Sequence, residues 1–255
     1  MSKTVTDAIK DRRSVRKYKD VEIDPEKVRK CIENATLAPN SSNMQLWEFI
    51  HITDKKILKK IAYACFNQNA AKTSKNMVVF VARKDKWRSR AKENLNFLEN
   101  LFDKQEKEGI DVKKRRILSR RYYKKIMPTI YSDFFGIIGI YKKLLSYIIG
   151  LFRPIYREVL FSDLKVVTHK SVALAAENFM LSMNEIGYDT CPMEGSDTTR
   201  VKKILNLPRK AEITMIIGCG IKDKKGIYSP RFRVSFDEVY KLSLIHISEP
   251  TRPTR

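Results

Sequence analysis

Hydrophobic residues recur with helical spacing in several parts of the chain. Val28, Cys31, Ile32 and Ala35 occupy positions i, i+3, i+4 and i+7, the spacing of one buried helix face. Asp24 and Pro25 precede them, and these residue types suit the N-cap and the first helical position. The pattern predicts a helix that begins after Asp24 and stops before Pro39.

Three further segments carry the same helical spacing. One follows Asp54, and a second follows Asp197 and stops at Pro208. The clearest is the stripe from Val172 to Met183, which Gly187 ends. Residues 83–125 are charged and also helical in period. Their expected buried positions are Trp87, Leu95, Leu98, Leu101 and Phe102.

Short apolar runs between these helices predict strands. They cover residues 47–52, 77–82 and 213–219, and the last two are apolar at nearly every position. Continuous apolar runs of this length indicate strands that are buried on both faces. Alternation of such strands with amphipathic helices indicates a packed domain that contains both.

The first basic stretch follows a short apolar run of Val5, Ala8 and Ile9, which we expect to open a helix after Thr6 or Asp7. Residues 11–18 read DRRSVRKY. Guanidinium groups match phosphate oxygens with two parallel donors, and a neighbouring hydroxyl adds a third. The stretch alone fits either a phosphate site or a solvated basic turn.

Residues 126–161 contain two apolar runs, 134–141 and 144–152, separated by Lys142 and Lys143. A membrane-spanning helix needs about 20 apolar residues, and Pro128, Asp133 and the lysine pair interrupt any such span. Three interpretations stay open: an arm at a dimer interface, a lid over an active site, or a segment lying on a membrane surface.

Composition narrows the choice of function. The formal net charge of +22 over 255 residues favours an anionic ligand, a nucleic acid or an anionic membrane, although a lysine-rich composition alone also produces such a charge. The four cysteines and three histidines show no zinc or iron–sulfur spacing. Residues 218–220 lack the helix and third glycine of a dinucleotide-binding loop, and no catalytic triad pattern is present.

Four stretches, in order, resemble the motifs of the FMN-dependent nitroreductase family. They are the basic stretch at 11–18, APNSSNMQLWEF at 38–49, NQNAA at 67–71 and CPMEGSD at 191–197, and Arg231 and Arg233 close the set. The resemblance implies an α+β fold, a three-layer αβα sandwich around a mixed, mainly antiparallel sheet. It implies one FMN-binding domain over residues 1–241, with a variable helical insertion at about 95–165.

The resemblance also implies roles for individual residues. Arg12, Ser14, Arg231 and Arg233 match the FMN phosphate site, which Arg13 adjoins, and Arg16 matches a cation near flavin N1 and O2. We expect residues 191–197 to form a loop, and Glu194 and Gly195 match the part of it that faces flavin N5 in the family. The other implied flavin contacts are Pro39, Asn40, Ser41, Asn43, Asn67, Pro192 and Met193.

Three positions depart from the family pattern. Asn40 stands where serine is usual, Leu46 where proline is usual, and Ala70 where some members carry a second cation. Asparagine at position 40 can still form hydrogen bonds. Without the second cation at position 70, the protein would stabilise the reduced flavin less.

The resemblance implies a homodimer with flavin at the interface, which passes hydride from NAD(P)H through flavin N5 to a nitroaromatic, quinone or related small acceptor by a ping-pong mechanism. Two alternatives are a flavin-site member that dehalogenates or cleaves flavin, and a basic membrane-surface or nucleic-acid-binding protein without cofactor. We expect no nucleic acid partner for the enzyme, and peripheral membrane contact is an option only through residues 126–161.

The two ends of the chain carry further expectations. The N-terminus lacks an apolar signal core, which favours a cytoplasmic protein. Residues 242–255 resemble an in-frame translation of a sequencing-library adapter, so we expect this tail to be non-native and give His246 no functional role.

Overall fold

A computed structural model describes residues 3–132 and 137–242 of the chain. The predicted adapter-derived tail lies outside the described residues from position 243 onward, and so do Asp133 and residues 134–136 of the first apolar run. The described α-helices are α1 Val5–Asp11, α2 Pro25–Ala35, α3 Lys55–Ala64, α4 Asn69–Lys72, α5 Trp87–Lys107, α6 Lys113–Arg121, α7 Met127–Tyr131, α8 Ile137–Ile149, α9 Phe161–Glu185, α10 Thr198–Ile204 and α11 Phe236–Val239.

The sheet has four strands in the described part of the chain: β1 Trp47–Ile52, β2 Asn76–Ala82, β3 Asp189–Met193 and β4 Glu212–Gly220. Their order is β1-β2-β4-β3, and every neighbouring pair is antiparallel. A parallel contact occurs as a single bridge between Ser14 and Thr190. The predicted α+β fold and the antiparallel character of the sheet are therefore confirmed.

Helices cover both faces of the sheet. On one face, Val78 and Phe80 of β2 pack with Val28 of α2 and Phe179 of α9. On the other face, the alternate β2 residues, such as Val79, pack with α3 and α10. Successive side chains of a strand point to opposite faces, so a strand between two helical layers is apolar at every position. All seven β2 residues are buried, as the continuous apolar run predicted.

Local capping explains where the helices begin. Asp24 accepts a hydrogen bond from the Glu26 backbone N–H at 2.9 Å, and Asp54 accepts one from the Ile57 N–H at 2.8 Å. Each side chain satisfies a backbone donor that the helix itself leaves unpaired. Both predicted helix starts are thus found in the structure.

Two predicted boundaries are wrong. Helix α1 begins after Thr4, because the Thr4 hydroxyl accepts from the Asp7 N–H and the Asp7 carboxylate accepts from the Thr4 N–H, which together form a capping box. Residues 191–193, which we placed in a loop, belong to β3. Proline is tolerated there because β3 is an edge strand of the described sheet.

The charged middle of the chain forms a helical layer of its own. Helices α5 and α6 lie next to each other, and Arg116 of α6 forms ion pairs with Glu99, Asp103 and Glu106 of α5 at 2.7–2.9 Å. Leu95 and Phe102 are buried as predicted, whereas Trp87, Leu98 and Leu101 are only half-buried. No helix among the described residues is long and apolar enough to cross a membrane.

Candidate cofactor site

The predicted phosphate-binding residues line one pocket. Residues 12–16, at the end of α1, and residues 227–233, more than two hundred positions later, enclose a volume of about 240 Å³ that we call the basic pocket. Five of its lining residues are arginines that the sequence singled out: Arg12, Arg13, Arg16, Arg231 and Arg233. Ser14 contributes the predicted hydroxyl.

Backbone hydrogen bonds bring the two segments together. The Val15 N–H donates to the Thr190 carbonyl at 3.0 Å, and the Arg16 N–H donates to the Gly226 carbonyl at 2.7 Å. Side chains strengthen the join, because Arg13 donates to the Ser229 carbonyl at 2.7 Å and Arg231 donates to the Arg12 carbonyl. The pocket therefore closes between an edge strand and two distant loops.

The charges of the basic pocket are poorly balanced by protein. Glu177 of α9 lies 3.6 Å from Arg12 Nε, but this buried nitrogen has no hydrogen-bond acceptor among the described residues. The Arg16 guanidinium lies over the Tyr228 ring, 5.6 Å from its centre. A concentration of guanidinium groups with an unused buried donor is chemically suited to an anion with several oxygens.

The third and fourth motifs lie beside the basic pocket. The Tyr228 hydroxyl accepts a hydrogen bond from Asn69 Nδ2 at 3.0 Å, and Gln68 Nε2 donates to the Gly195 carbonyl at 3.0 Å. A continuous set of contacts thus leads from Arg16 through Tyr228 and residues 68–69 to the 194–195 loop.

The predicted residues of these two motifs differ in exposure. Asn67 is exposed at the end of α3, where its φ of 52° and its N–H bond to the Ala62 carbonyl form the chain reversal after the helix. Met193 is buried, Pro192 is half-buried, and Glu194 and Gly195 are exposed. The fourth motif therefore combines an exposed loop at Glu194 and Gly195 with the partly buried end of β3.

Cys191 lies behind this loop. Burial raises the pKa of its thiol, while the nearby Arg16 guanidinium acts in the opposite direction. The thiol is therefore neutral at physiological pH, and we assign it a packing role. The other cysteines are also buried and free, as the sequence predicted.

The second motif lies elsewhere in the protomer. Asn40 Oδ1 accepts from the Gln45 N–H at 2.8 Å, the Ser41 N–H donates to Ser171 Oγ at 3.4 Å, and Asn43 Nδ2 donates to Asn94 Oδ1 at 2.9 Å. Pro39 is exposed. Residues 39–43 do not line the basic pocket, and no hydrogen bond or ion pair among the described residues joins them to it. The pocket and the contacts beside it therefore involve three of the four motifs.

Sequence reasoning missed two residues of the site. Tyr228 connects Arg16 to Asn69, and Glu177 is the carboxylate nearest Arg12 Nε. Tyr228 lies only three positions before Arg231, so its closeness in sequence to a predicted site residue could have indicated it. Glu177 is one acid on a long helix, and only the packing of α9 against α1 shows its role.

A larger cavity of about 580 Å³ lies between Asn67 and residues 20–22, but two of its lysines are paired with Asp20 and Glu22.

Groups of three or more metal-ligating side chains are absent from the described residues. The arginines that line the basic pocket are suited to bind an anion beside an exposed backbone loop, on a three-layer α+β scaffold. This combination is typical of a protein that holds a phosphorylated organic cofactor.

Comparison with known proteins identifies the family. The nitroreductase family model matches residues 9–130 and 161–221. The chain belongs to the nitroreductase family, as its four motifs predicted. The match leaves residues 131–160 uncovered, which lie inside the predicted insertion.

Curated relatives extend over most of the chain. Protein DrgA of Synechocystis is 27% identical over 217 residues, which cover 84% of this chain and 82% of DrgA. YdgI of Bacillus subtilis, provisionally named an NAD(P)H nitroreductase, is 25% identical over 232 residues and covers 89% of this chain and 92% of its own length.

Solved structures confirm the fold. A nitroreductase family protein from Streptococcus pneumoniae superposes with a TM-score of 0.64 at 18% identity and covers 94% of this chain and 100% of its own. A structure from Exiguobacterium sibiricum, solved in complex with FMN, gives a TM-score of 0.62 at 21% identity over 95% of this chain and 99% of its own.

Proposed function

We propose that the chain is an FMN-dependent NAD(P)H oxidoreductase whose basic pocket binds the FMN phosphate. The observation that carries the proposal is the convergence of five arginines on a small pocket with a buried Arg12 nitrogen that has no hydrogen-bond acceptor among the described residues. A phosphate group supplies the missing acceptor and the missing negative charge. The FMN-bound relative of the same fold supports the choice of ligand.

The residues fit the cofactor in chemical type. Arg12, Arg13, Ser14, Arg231 and Arg233 would hold the phosphate, and Arg16 supplies a cation nearer the 191–195 strand and loop. Gly195 takes part in the contacts that extend from this pocket through Gln68 and Asn69. Asn67, Pro192, Met193 and Glu194 adjoin those residues in the sequence. When bound, FMN accepts hydride from NAD(P)H and passes it to a second substrate, a two-step exchange that suits ping-pong kinetics.

The protein residues contribute binding and electrostatics to this reaction. A cation beside a group that gains negative charge stabilises the charged form, because the attraction is strongest where water is excluded. Arg16 is the residue that we assign to this role. We propose nitroaromatics, quinones and related small electron acceptors as the substrate class.

We propose further that the enzyme is a homodimer in which the second motif of one chain completes the cofactor site of its partner. Residues Pro39, Asn40, Ser41 and Asn43 lack contacts with the basic pocket of their own chain among the interactions described. An uncovered apolar surface near α1 and α9 is available for the association: Val5, Ile9, Leu37 and Leu174 are all exposed. These residues otherwise leave apolar area in water.

The first experiment measures bound flavin and its reduction. The purified full-length chain, supplied with FMN, should show flavin absorption bands that bleach on anaerobic addition of NADPH or NADH. Arg12→Ala and Arg231→Ala should each weaken FMN binding by about 10- to 100-fold, the loss expected for one charge-assisted hydrogen bond.

Arg209→Ala is the matched control, because Arg209 is an exposed arginine outside the basic pocket. It should retain flavin fully. Full retention in the Arg12 and Arg231 variants would contradict the assignment of the phosphate site. No flavin in the wild-type chain would instead favour a basic protein without cofactor.

Leu174→Glu tests the dimer. A charge on the exposed side of α9 should separate the two chains, which light scattering would detect as a lower particle mass. FMN should be released at the same time, because the partner's second motif would no longer complete the cofactor site. Loss of mass without loss of FMN would place the complete cofactor site within one chain.

A further inference from the structure

Helix α8 is oriented with its small and polar residues toward the protein. Gly139 and Ser146 are buried, and Ser146 is only 2% exposed. The opposite side carries seven large apolar or aromatic residues whose side chains remain in water: Ile138, Ile140, Tyr141, Leu144, Leu145, Tyr147 and Ile148. Leu151 and Phe152, just beyond the helix, are 80% and 85% exposed. We call these nine residues the outer face.

Polar contacts fix this orientation. Lys142 Nζ donates to the Ser132 carbonyl at 2.5 Å and to the Ile130 carbonyl at 3.4 Å. Lys143 Nζ donates to the Arg157 carbonyl at 2.8 Å. These bonds tie the helix to the chain on both sides of it. The Arg157 guanidinium also lies over the Tyr147 ring, 5.6 Å from its centre, and the other residues of the outer face stay exposed.

The outer face has the composition of a helix that lies in a membrane interface. Such helices combine a broad apolar face with flanking cations, and tyrosines sit at the boundary where one end of the ring is apolar and the other is wet. Tyr141, Tyr147 and Tyr156 supply exposed rings, and Arg153 and Arg157 supply exposed cations next to the apolar residues. We infer that the outer face docks on an anionic phospholipid bilayer.

The charge of the protein selects this occupant. Residues 137–160 contain four basic residues and one acidic residue, and the whole chain carries +22. An anionic lipid surface attracts such a chain, and each lysine or arginine close to the headgroups adds to the attraction. A second copy of this face would bring the same basic residues and no compensating negative charge. A nucleic acid would match the charge but would leave the apolar residues in water.

The length of α8 restricts the mode of contact. Thirteen residues rise by about 20 Å, whereas the hydrocarbon layer of a bilayer is about 30 Å thick. The helix therefore lies along the surface with its outer face immersed. Residues 131–160 are the part of this region that the family model leaves uncovered, so the membrane contact adds to the enzyme's common scaffold.

Vesicle co-sedimentation with the full-length, FMN-loaded protein tests the inference. The protein should sediment with vesicles of equal parts phosphatidylcholine and phosphatidylglycerol at low salt, and not with vesicles of phosphatidylcholine alone. Leu144→Glu, at the middle of the outer face, should reduce the bound fraction by about tenfold or more, because it replaces an immersed apolar group with an anion.

Phe97→Glu is the control, since Phe97 is an exposed apolar residue on α5 and the substitution changes the charge equally. It should bind vesicles nearly as well as the wild type. Equal losses in both variants, equal sedimentation with neutral vesicles, or no sedimentation of the wild type would overturn the inference. A fall in the particle mass of Leu144→Glu in vesicle-free solution would also overturn it, because the outer face would then be a contact between chains.

Tyr147→Trp provides a second measurement that does not depend on a disruptive substitution. Its extra tryptophan emission should move to shorter wavelength on addition of anionic vesicles and should be quenched by lipids brominated in the acyl chain. Unchanged emission with a protein that sediments would assign the membrane contact to another surface. Flavin content, measured in the same samples, separates this outcome from a failure of the cofactor site.

Discussion

Helices α9 and α8 are both apolar, yet they bury opposite kinds of side chain. In α9, Val172, Ala175, Ala176 and Phe179 face the sheet and are fully buried. In α8, the buried positions among residues 138–149 are Gly139 and Ser146, and seven large residues face outward. The difference follows from their surroundings, because α9 lies against all four described strands and α2, whereas α8 is held through lysine contacts to backbone carbonyls.

The comparison shows that hydrophobic periodicity identifies a face but does not say what covers it. A helix that packs on a sheet contributes the area it buries to the stability of the fold. A helix that turns the same kind of area outward contributes nothing through that area until a partner arrives. The two helices should therefore respond in opposite ways to the same kind of substitution.

The largest effect is expected for Phe179→Ala in α9. The Phe179 ring lies 5.5 Å from the Phe80 ring in the centre of one layer, so its removal should lower the free energy of unfolding by about 3–5 kcal/mol. Val166→Ala, at an exposed position of the same helix, should cost far less. Denaturant unfolding of both variants measures the difference, and equal costs would contradict the described packing of α9.

A smaller effect is expected at the loop that meets the start of α9. Arg83 donates to both Asp85 oxygens at 2.8–3.0 Å, and this bond holds the pKa of Asp85 below its ordinary value despite partial burial. Asp85→Asn should lower the free energy of unfolding by about 1–3 kcal/mol at neutral pH.

The pH dependence of that variant follows from the lowered pKa. A carboxylate with a depressed folded-state pKa stabilises the fold above its unfolded value of about 3.9, and this contribution is lost as the pH falls through the folded value. The gap between wild type and Asp85→Asn should therefore close in acid. A gap that stays constant from neutral pH to acid would show that the ion pair is not its source.

The smallest effect is expected for Ile148→Ala on the outer face of α8. Because Ile148 is 51% exposed, its truncation should change the free energy of unfolding by no more than about 0.5 kcal/mol. Ser146→Leu on the buried side of the same helix should cost roughly 1–3 kcal/mol by overpacking. Reversal of these two costs would mean that the outer face is covered within the protomer.

Most of the fold could be predicted from the sequence because local and tertiary preferences agree. Asp24 and Asp54 cap the helices they precede, and the apolar runs become β2 and β4. The failures occurred where local signals compete. Thr4, Thr6 and Asp7 are all capable caps, and only the reciprocal bond between Thr4 and Asp7 selects the first. Residues 191–193 contain a proline, which concealed an edge strand.

The candidate site was predictable in its parts but not in its arrangement. Motif order pointed to Arg12, Ser14, Arg16, Arg231 and Arg233, and the structure gathers them in one pocket. Sequence spacing carries no information on which distant segments meet, so the position of Glu177 beside Arg12 stayed hidden. The order of the motifs along the chain also gave no sign that residues 39–43 would not line that pocket.

The basic pocket joins residues 12–16 to residues 227–233, and this has a consequence for biosynthesis. A ribosome synthesises the first segment near the beginning of translation and the second near its end. The basic pocket cannot form until residue 233 has left the exit tunnel, whereas α9 and every strand of the described sheet are synthesised before that residue. If the pocket binds FMN as we propose, flavin loading is a late step that follows the synthesis of this segment.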